Sequence, residues 1–107
     1  MEAKHADHEE PILSVSMITE FLSPVFALHG VKKAILFGSH SKGYATANSD
    51  IDILVDSGLC GLDFVELIED AMQAIQRQVD MIDIRHIGTD ASILLDIEKT
   101  GTVIYEK

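Results

Sequence analysis

Two short apolar runs, residues 31–37 and 51–55, flank a polar stretch that opens on Gly38-Ser39 and closes on Asp50-Ile51-Asp52, with ten residues between the Gly-Ser pair and the first aspartate. Both runs are mainly apolar, with β-branched members, and are bounded by Gly, Ser and Asn, which is the pattern of strands joined by a loop. A strand that ends on glycine can turn sharply and bring its backbone close to a ligand, because no Cβ stands in the way. The amides of such a turn are donors for phosphate oxygens, and the Ser39 hydroxyl adds one more. Side chains alternate along a strand, so Asp50 and Asp52 project to one face, roughly 6.5–7 Å apart at Cα, while Ile51 and Ile53 point to the other. The chain is thereby committed to a sheet with a polar, ligand-facing end.

The remaining elements follow from periodicity. Apolar residues at Ile12, Val15, Ile18, Leu22, Val25 and Phe26 lie three and four apart and mark one face of a helix. Pro24 lacks a backbone donor and predicts a break or kink after Ser23, and Gly30 suits the stop. Asp63 and Glu66 have the spacing of a capping box, with Leu62 and Leu67 at staple positions, for a helix running to about Gln76. Residues 79–84 read as a third strand. Thr89-Asp90 opens another helix that ends near Lys99 with Gly101 beyond it, and residues 102–105 make a final strand. The fold class is α/β: a mixed four-stranded sheet with helices packed against it. The first two strands are antiparallel, and the second and third are parallel through a right-handed crossover.

The chain has 107 residues, enough for one core. Residues 1–11 are acidic and His-bearing without apolar periodicity, and read as a mobile tail rather than a signal peptide or a metal site. The domain is residues 12–107. Lys plus Arg number 8 against 18 Asp plus Glu, a net charge of −10. That balance argues against direct nucleic-acid binding, which needs clustered cations, and against an anionic membrane surface. Cys60 is the single cysteine, which excludes an internal disulfide and a thiolate-rich zinc site. A cytoplasmic location is expected.

Two carboxylates held as close as Asp50 and Asp52 are costly unless something positive sits between them. Mg²⁺ is the natural partner, since it is shared between one or two carboxylates and substrate phosphates. At this point a resemblance becomes specific. Gly38-Ser39, the ten-residue spacing and Asp50-x-Asp52 match the GSx10DxD signature of the nucleotidyltransferase superfamily that includes DNA polymerase β. The stretch GSHSKGYATANSDIDILVD is similar to the minimal nucleotidyltransferases, the MNT-domain proteins. Val79-Asp80-Met81-Ile82 resembles the next diagnostic strand of that family, and Val103-Ile104-Tyr105-Glu106 its closing strand. The resemblance spans residues 12–107.

The resemblance implies a single-domain nucleotidyltransferase fold that binds ATP and Mg²⁺, transfers AMP and releases pyrophosphate. It assigns Asp50 and Asp52 to metal and Asp80 as the third metal-binding, catalytic carboxylate. Gly38 and Ser39 would hold the triphosphate. Lys42 keeps a cation in the loop, where His40 stands at a position often occupied by arginine. Many MNT proteins are antitoxins that silence a HEPN-domain RNase toxin by adenylylating a tyrosine, and a surface of −10 suits a basic RNase partner. Neutralisation by binding alone and transfer to a small-molecule acceptor are the alternatives; the small size of the chain disfavours the second. Asp83, three residues beyond Asp80, reads as a solvated strand residue, Arg85 and His86 as loop decoration within possible reach of a nucleotide, and Cys60 as a bystander thiol.

Overall fold

The computed structural model describes residues 13–38, 50–87 and 91–107. The expected tail, residues 1–11, lies outside them. The first element is helix α1 (Val15–Leu28). Ser14 caps it, its hydroxyl accepting from the Met17 amide at 3.1 Å. The helix runs unbroken through Pro24, contrary to the predicted break. Pro24 sits on the exposed side, where water can satisfy the carbonyl it leaves without a donor. Ile18, Leu22 and Phe26, all fully buried, hold both halves of the helix to the sheet. The end is the expected one. Gly30 takes φ +72°, its amide bonds to the Ala27 carbonyl and the Val31 amide to that of Phe26, the paired bonds of a Schellman motif.

Strands β1 (Lys33–Phe37) and β2 (Ile51–Asp56) pair antiparallel, as predicted. Helix α2 (Leu62–Ile75) follows, and then β3 (Val79–Asp83), which pairs parallel with β2. The start of α2 corrects the sequence reading. Gly61 is the N-cap, with φ +59° and ψ −134°, and no side chain caps the helix. Because Gly61 can adopt a backbone conformation closed to other residues, the helix begins one residue before Asp63. Asp63 therefore lies inside the first turn, where it favours the helix dipole instead of capping it. Leu62 is 84% exposed, so there is no staple with the buried Leu67.

β3 ends at Asp83, one residue earlier than expected, because Ile84 already turns into the short helix α3 (Ile84–Ile87). Helix α4 (Ala91–Thr100) and strand β4 (Thr102–Glu106) complete the chain, and the predicted helix opening at Thr89-Asp90 lies outside the described residues. The sheet order is β3-β2-β1-β4, with β4 antiparallel to β1.

Alternation along the strands gives the sheet two apolar faces. Leu36, Ile51, Ile53, Val79 and Met81 pack with α1 and α2 in the main core. Ile35 and Leu54 pack with Ile97 of α4, and Phe37 and Ile82 lie against them. Truncating a fully buried side chain such as Leu22 to alanine would cost about 2–5 kcal/mol. Among the described residues, no helix is long and apolar enough to cross a membrane.

Candidate active site at one end of the parallel strand pair

The main-core positions of β2 and β3 are odd-numbered, so Asp52 and Asp80 belong to the opposite face, the one α4 partly covers. They are register partners in the parallel pair, and neighbouring strands lie about 4.8 Å apart. Asp80 is exposed between the buried Val79 and Met81, which is the predicted phase of this strand. Asp50 is exposed one residue before β2 begins, and Ile51 and Ile53 beside it are fully buried. The alternation that sends the isoleucines into the core leaves residues 50 and 52 on the same side.

β1 enters this end from the opposite direction. Phe37 pairs with Asp52, so Gly38 emerges directly against that aspartate. Gly38 has φ +75°, and a Cβ there would stand 2.4 Å from Asp52 Oδ2 and 3.2 Å from its Cγ. The backbone angle requires glycine, and any Cβ would also push the Asp52 carboxylate out of its place. Gly38, Asp52 and Asp80 come together from three strands, and Asp50 joins them at the start of β2. Ser39 and Lys42, the other two predicted ligand-holding residues, lie outside the described residues.

The donor set is all carboxylate, which suits a hard cation such as Mg²⁺. Among the described residues, no three carboxylate, imidazole or thiol groups form a preassembled cage.

The opposite end of the same strand pair holds what the sequence reading missed. Asp83 is not solvated but fully buried. Its carboxylate accepts from the Ser57 hydroxyl, from the Ser57 amide at 3.3 Å, and from the Arg85 amide and Nε at 3.0 and 3.2 Å. Burial pushes the Asp83 carboxyl up. The bonds from the Ser57 hydroxyl, the Arg85 amide and guanidinium and the Ser57 amide together outweigh it and hold the group below the usual carboxylate range. Arg85 also donates to the Leu59 carbonyl, so it ties the β2–α2 connection to the end of β3 rather than reaching toward a ligand. His86 stands edge-on to Phe64, with centroids 5.8 Å apart, and Cys60 is exposed. The signal for Asp83 was present: it shares the phase of Val79 and Met81, and a carboxylate in that phase needs buried donors.

Comparison with known proteins gives the family and the fold. The model of the family described as Polymerase beta, Nucleotidyltransferase matches residues 20–107. A provisionally named protein adenylyltransferase of Methanocaldococcus jannaschii is 33% identical over 72 residues, which cover 65% of this chain and 77% of that protein. Solved structures share the fold at lower identity. A toxin–antitoxin complex with AMP-PNP superposes with a TM-score of 0.70 at 24% identity, over 83% of this chain and 73% of the other. The complex of a tri-AMPylated Shewanella oneidensis HEPN toxin with an MNT antitoxin gives 0.65 at 20%, over 87% and 73%. A protein described as a minimal nucleotidyltransferase gives 0.70 at 22%, over 86% and 97%. With its Gly38-Ser39 and Asp50-x-Asp52 sequence motif and a family match over most of its length, this chain belongs to the polymerase β-type nucleotidyltransferase family.

Proposed function

We propose that this chain is a Mg²⁺-dependent protein adenylyltransferase that moves AMP from ATP to a tyrosine of a HEPN-domain toxin and acts as the antitoxin of that pair. The observation that carries the reading is the meeting of Gly38, Asp52 and Asp80 at one end of the sheet, with Asp50 beside them. The name of the M. jannaschii relative supports protein as the acceptor class. The AMP-PNP and the tri-AMPylated toxin in the structural neighbours support the nucleotide and the partner.

In this reading the Gly38 and Ser39 amides and the Ser39 hydroxyl would serve the triphosphate, and Lys42 would supply a cation. Asp50, Asp52 and Asp80 would hold Mg²⁺, which would supply charge neutralisation at the phosphates and polarisation of the α-phosphorus. Asp80, on the edge strand β3, would orient the incoming hydroxyl and accept its proton. The new bond joins the tyrosine oxygen to the α-phosphorus, and the bond to the β-phosphate oxygen breaks in line, releasing pyrophosphate. Gly38 keeps the backbone tight against Asp52 so that carboxylate and phosphate donors share one small volume.

The test is the intact mass of a HEPN-domain partner incubated with this protein, ATP and Mg²⁺. Mass increments of AMP, with matching pyrophosphate release, are expected. Suppression of the toxin with no mass change would replace transfer by occlusion.

A further inference from the structure

The groove between α1 and α2 lies on the far side of the sheet from the carboxylates just described. Pro24, Val25 and Leu28 form one wall and Asp70, Gln73 and Ala74 the other, enclosing ≈ 440 Å³ that opens to solvent. The two walls differ in chemistry. On α1, Met17, Phe21 and Leu28 fall within about 40° of one another at 100° per residue, so they form a single stripe. They are 37%, 42% and 78% exposed, unusual for such side chains on the outer surface of one helix. On α2, the same arithmetic aligns Asp63 and Glu66 with Asp70 in a stripe of carboxylates. Neither helix contains a Lys or Arg. His29, at the end of α1, anchors Asp70 at 2.7 Å.

We propose that this groove is a docking site for a basic amphipathic helix of a protein partner, its apolar side on the α1 stripe and its Lys or Arg side chains on the α2 stripe. The proposal rests on the reading that the chain acts on a protein, but not on the transfer chemistry. A groove between two helices accepts a third as an amphipathic rod with anchors at helical spacing. Charge selects the occupant. A second copy meeting this face would set carboxylates against carboxylates, and residues 1–11 are themselves acidic. A cationic helix satisfies both walls, and opposite charge speeds its encounter with a protein of net charge −10. The site is remote from the transfer centre, so it would hold the partner while leaving the nucleotide end open to an acceptor side chain.

The test uses a fluorescent synthetic helix with leucines at positions i, i+3, i+4 and i+7 flanked by lysines, and the same peptide with glutamates in place of lysines. Anisotropy should show saturable binding of the lysine peptide alone. Binding should weaken at least tenfold in Phe21→Ser/Leu28→Ser and in Asp63→Asn/Glu66→Gln, each with an unchanged circular dichroism spectrum, and should be unaltered in Asp52→Asn. Equal binding of the glutamate peptide, no binding, or no loss in either surface variant would overturn the proposal. So would loss in Asp52→Asn, which would place the cations at the transfer site, or a dimer that Leu28→Ser dissociates, which would make the occupant a second copy. Failure of AMP transfer with peptide binding intact would count against the proposed activity and leave the groove standing.

Discussion

The parallel pair β2–β3 carries aspartates at both ends, and the two ends hold them in opposite ways. At the N-terminal end Asp50 and Asp80 face outward, and Asp52 lies half-buried against Gly38. At the C-terminal end Asp83 is fully buried and takes hydrogen bonds from both the backbone and the side chains of Ser57 and Arg85. Asp80 and Asp83 are three residues apart in one strand, and alternation alone sends them to opposite faces. Chemistry does the rest. A carboxylate buried among donors of its own chain serves the fold, whereas carboxylates gathered on an open face beside Gly38 are, in the proposed reading, the ones that serve a ligand.

Substitutions at the two ends should therefore fail in different currencies. The largest effect belongs to Asp52→Asn and Gly38→Ala, which should each lower AMP transfer on the order of 10³-fold, about 4 kcal/mol of barrier. In the first, a neutral amide is a poor Mg²⁺ ligand; in the second, a methyl group displaces the carboxylate at a positive φ. Melting curves should show Asp52→Asn within a few degrees of the parent. A variant with full transfer would break the assignment of the open end.

Asp83→Asn should cost about 2–4 kcal/mol of stability, because an amide cannot accept everything the buried carboxylate accepts and leaves the Arg85 guanidinium with a neutral partner. For a domain of this size that lowers the melting temperature on the order of 10–20 °C. Transfer per folded molecule should not change. Urea denaturation and turnover measured on the same preparation separate the two quantities.

The same carboxylate sets a pH dependence. Its folded pKa lies below the unfolded value, so its contribution is complete above the unfolded carboxylate range and disappears as pH falls through the folded pKa. The stability difference between the parent and Asp83→Asn should be constant from about pH 7 to pH 5 and shrink below about pH 4. Urea midpoints across that range check it, and a gap that widens on acidification would contradict the hydrogen-bonded picture. The smallest effect is expected at Leu62. With no staple to break and the side chain 84% exposed, Leu62→Gln should change stability by less than about 0.5 kcal/mol.

Much of the geometry at the end of the sheet where Gly38, Asp52 and Asp80 meet was legible in the sequence because it depends on local rules. The strand–loop–strand pattern gives the antiparallel pairing of β1 with β2, and strand alternation gives the phase of Asp80. The Asp83 network was less legible because its donor Ser57 comes from 26 residues away and only the register of β2 with β3 brings them together. The helix ends failed for a related reason. Asp63 has the right type and spacing for a cap, yet the backbone conformation of Gly61 decides where α2 begins. At Pro24, tertiary anchoring by Leu22 and Phe26 overrode a local preference. The groove between α1 and α2 depends on how two helices pack, which periodicity does not reveal.

The most direct test of the account compares Asp80→Asn with Asp83→Asn at equal concentrations of folded protein, following AMP addition to the HEPN-domain partner by intact mass. The account predicts that Asp80→Asn loses transfer while still binding ATP, and that Asp83→Asn transfers at the parental rate despite its lower melting temperature. An inactive Asp83→Asn beside an active Asp80→Asn would place the chemistry at the wrong end of the strand pair and contradict it.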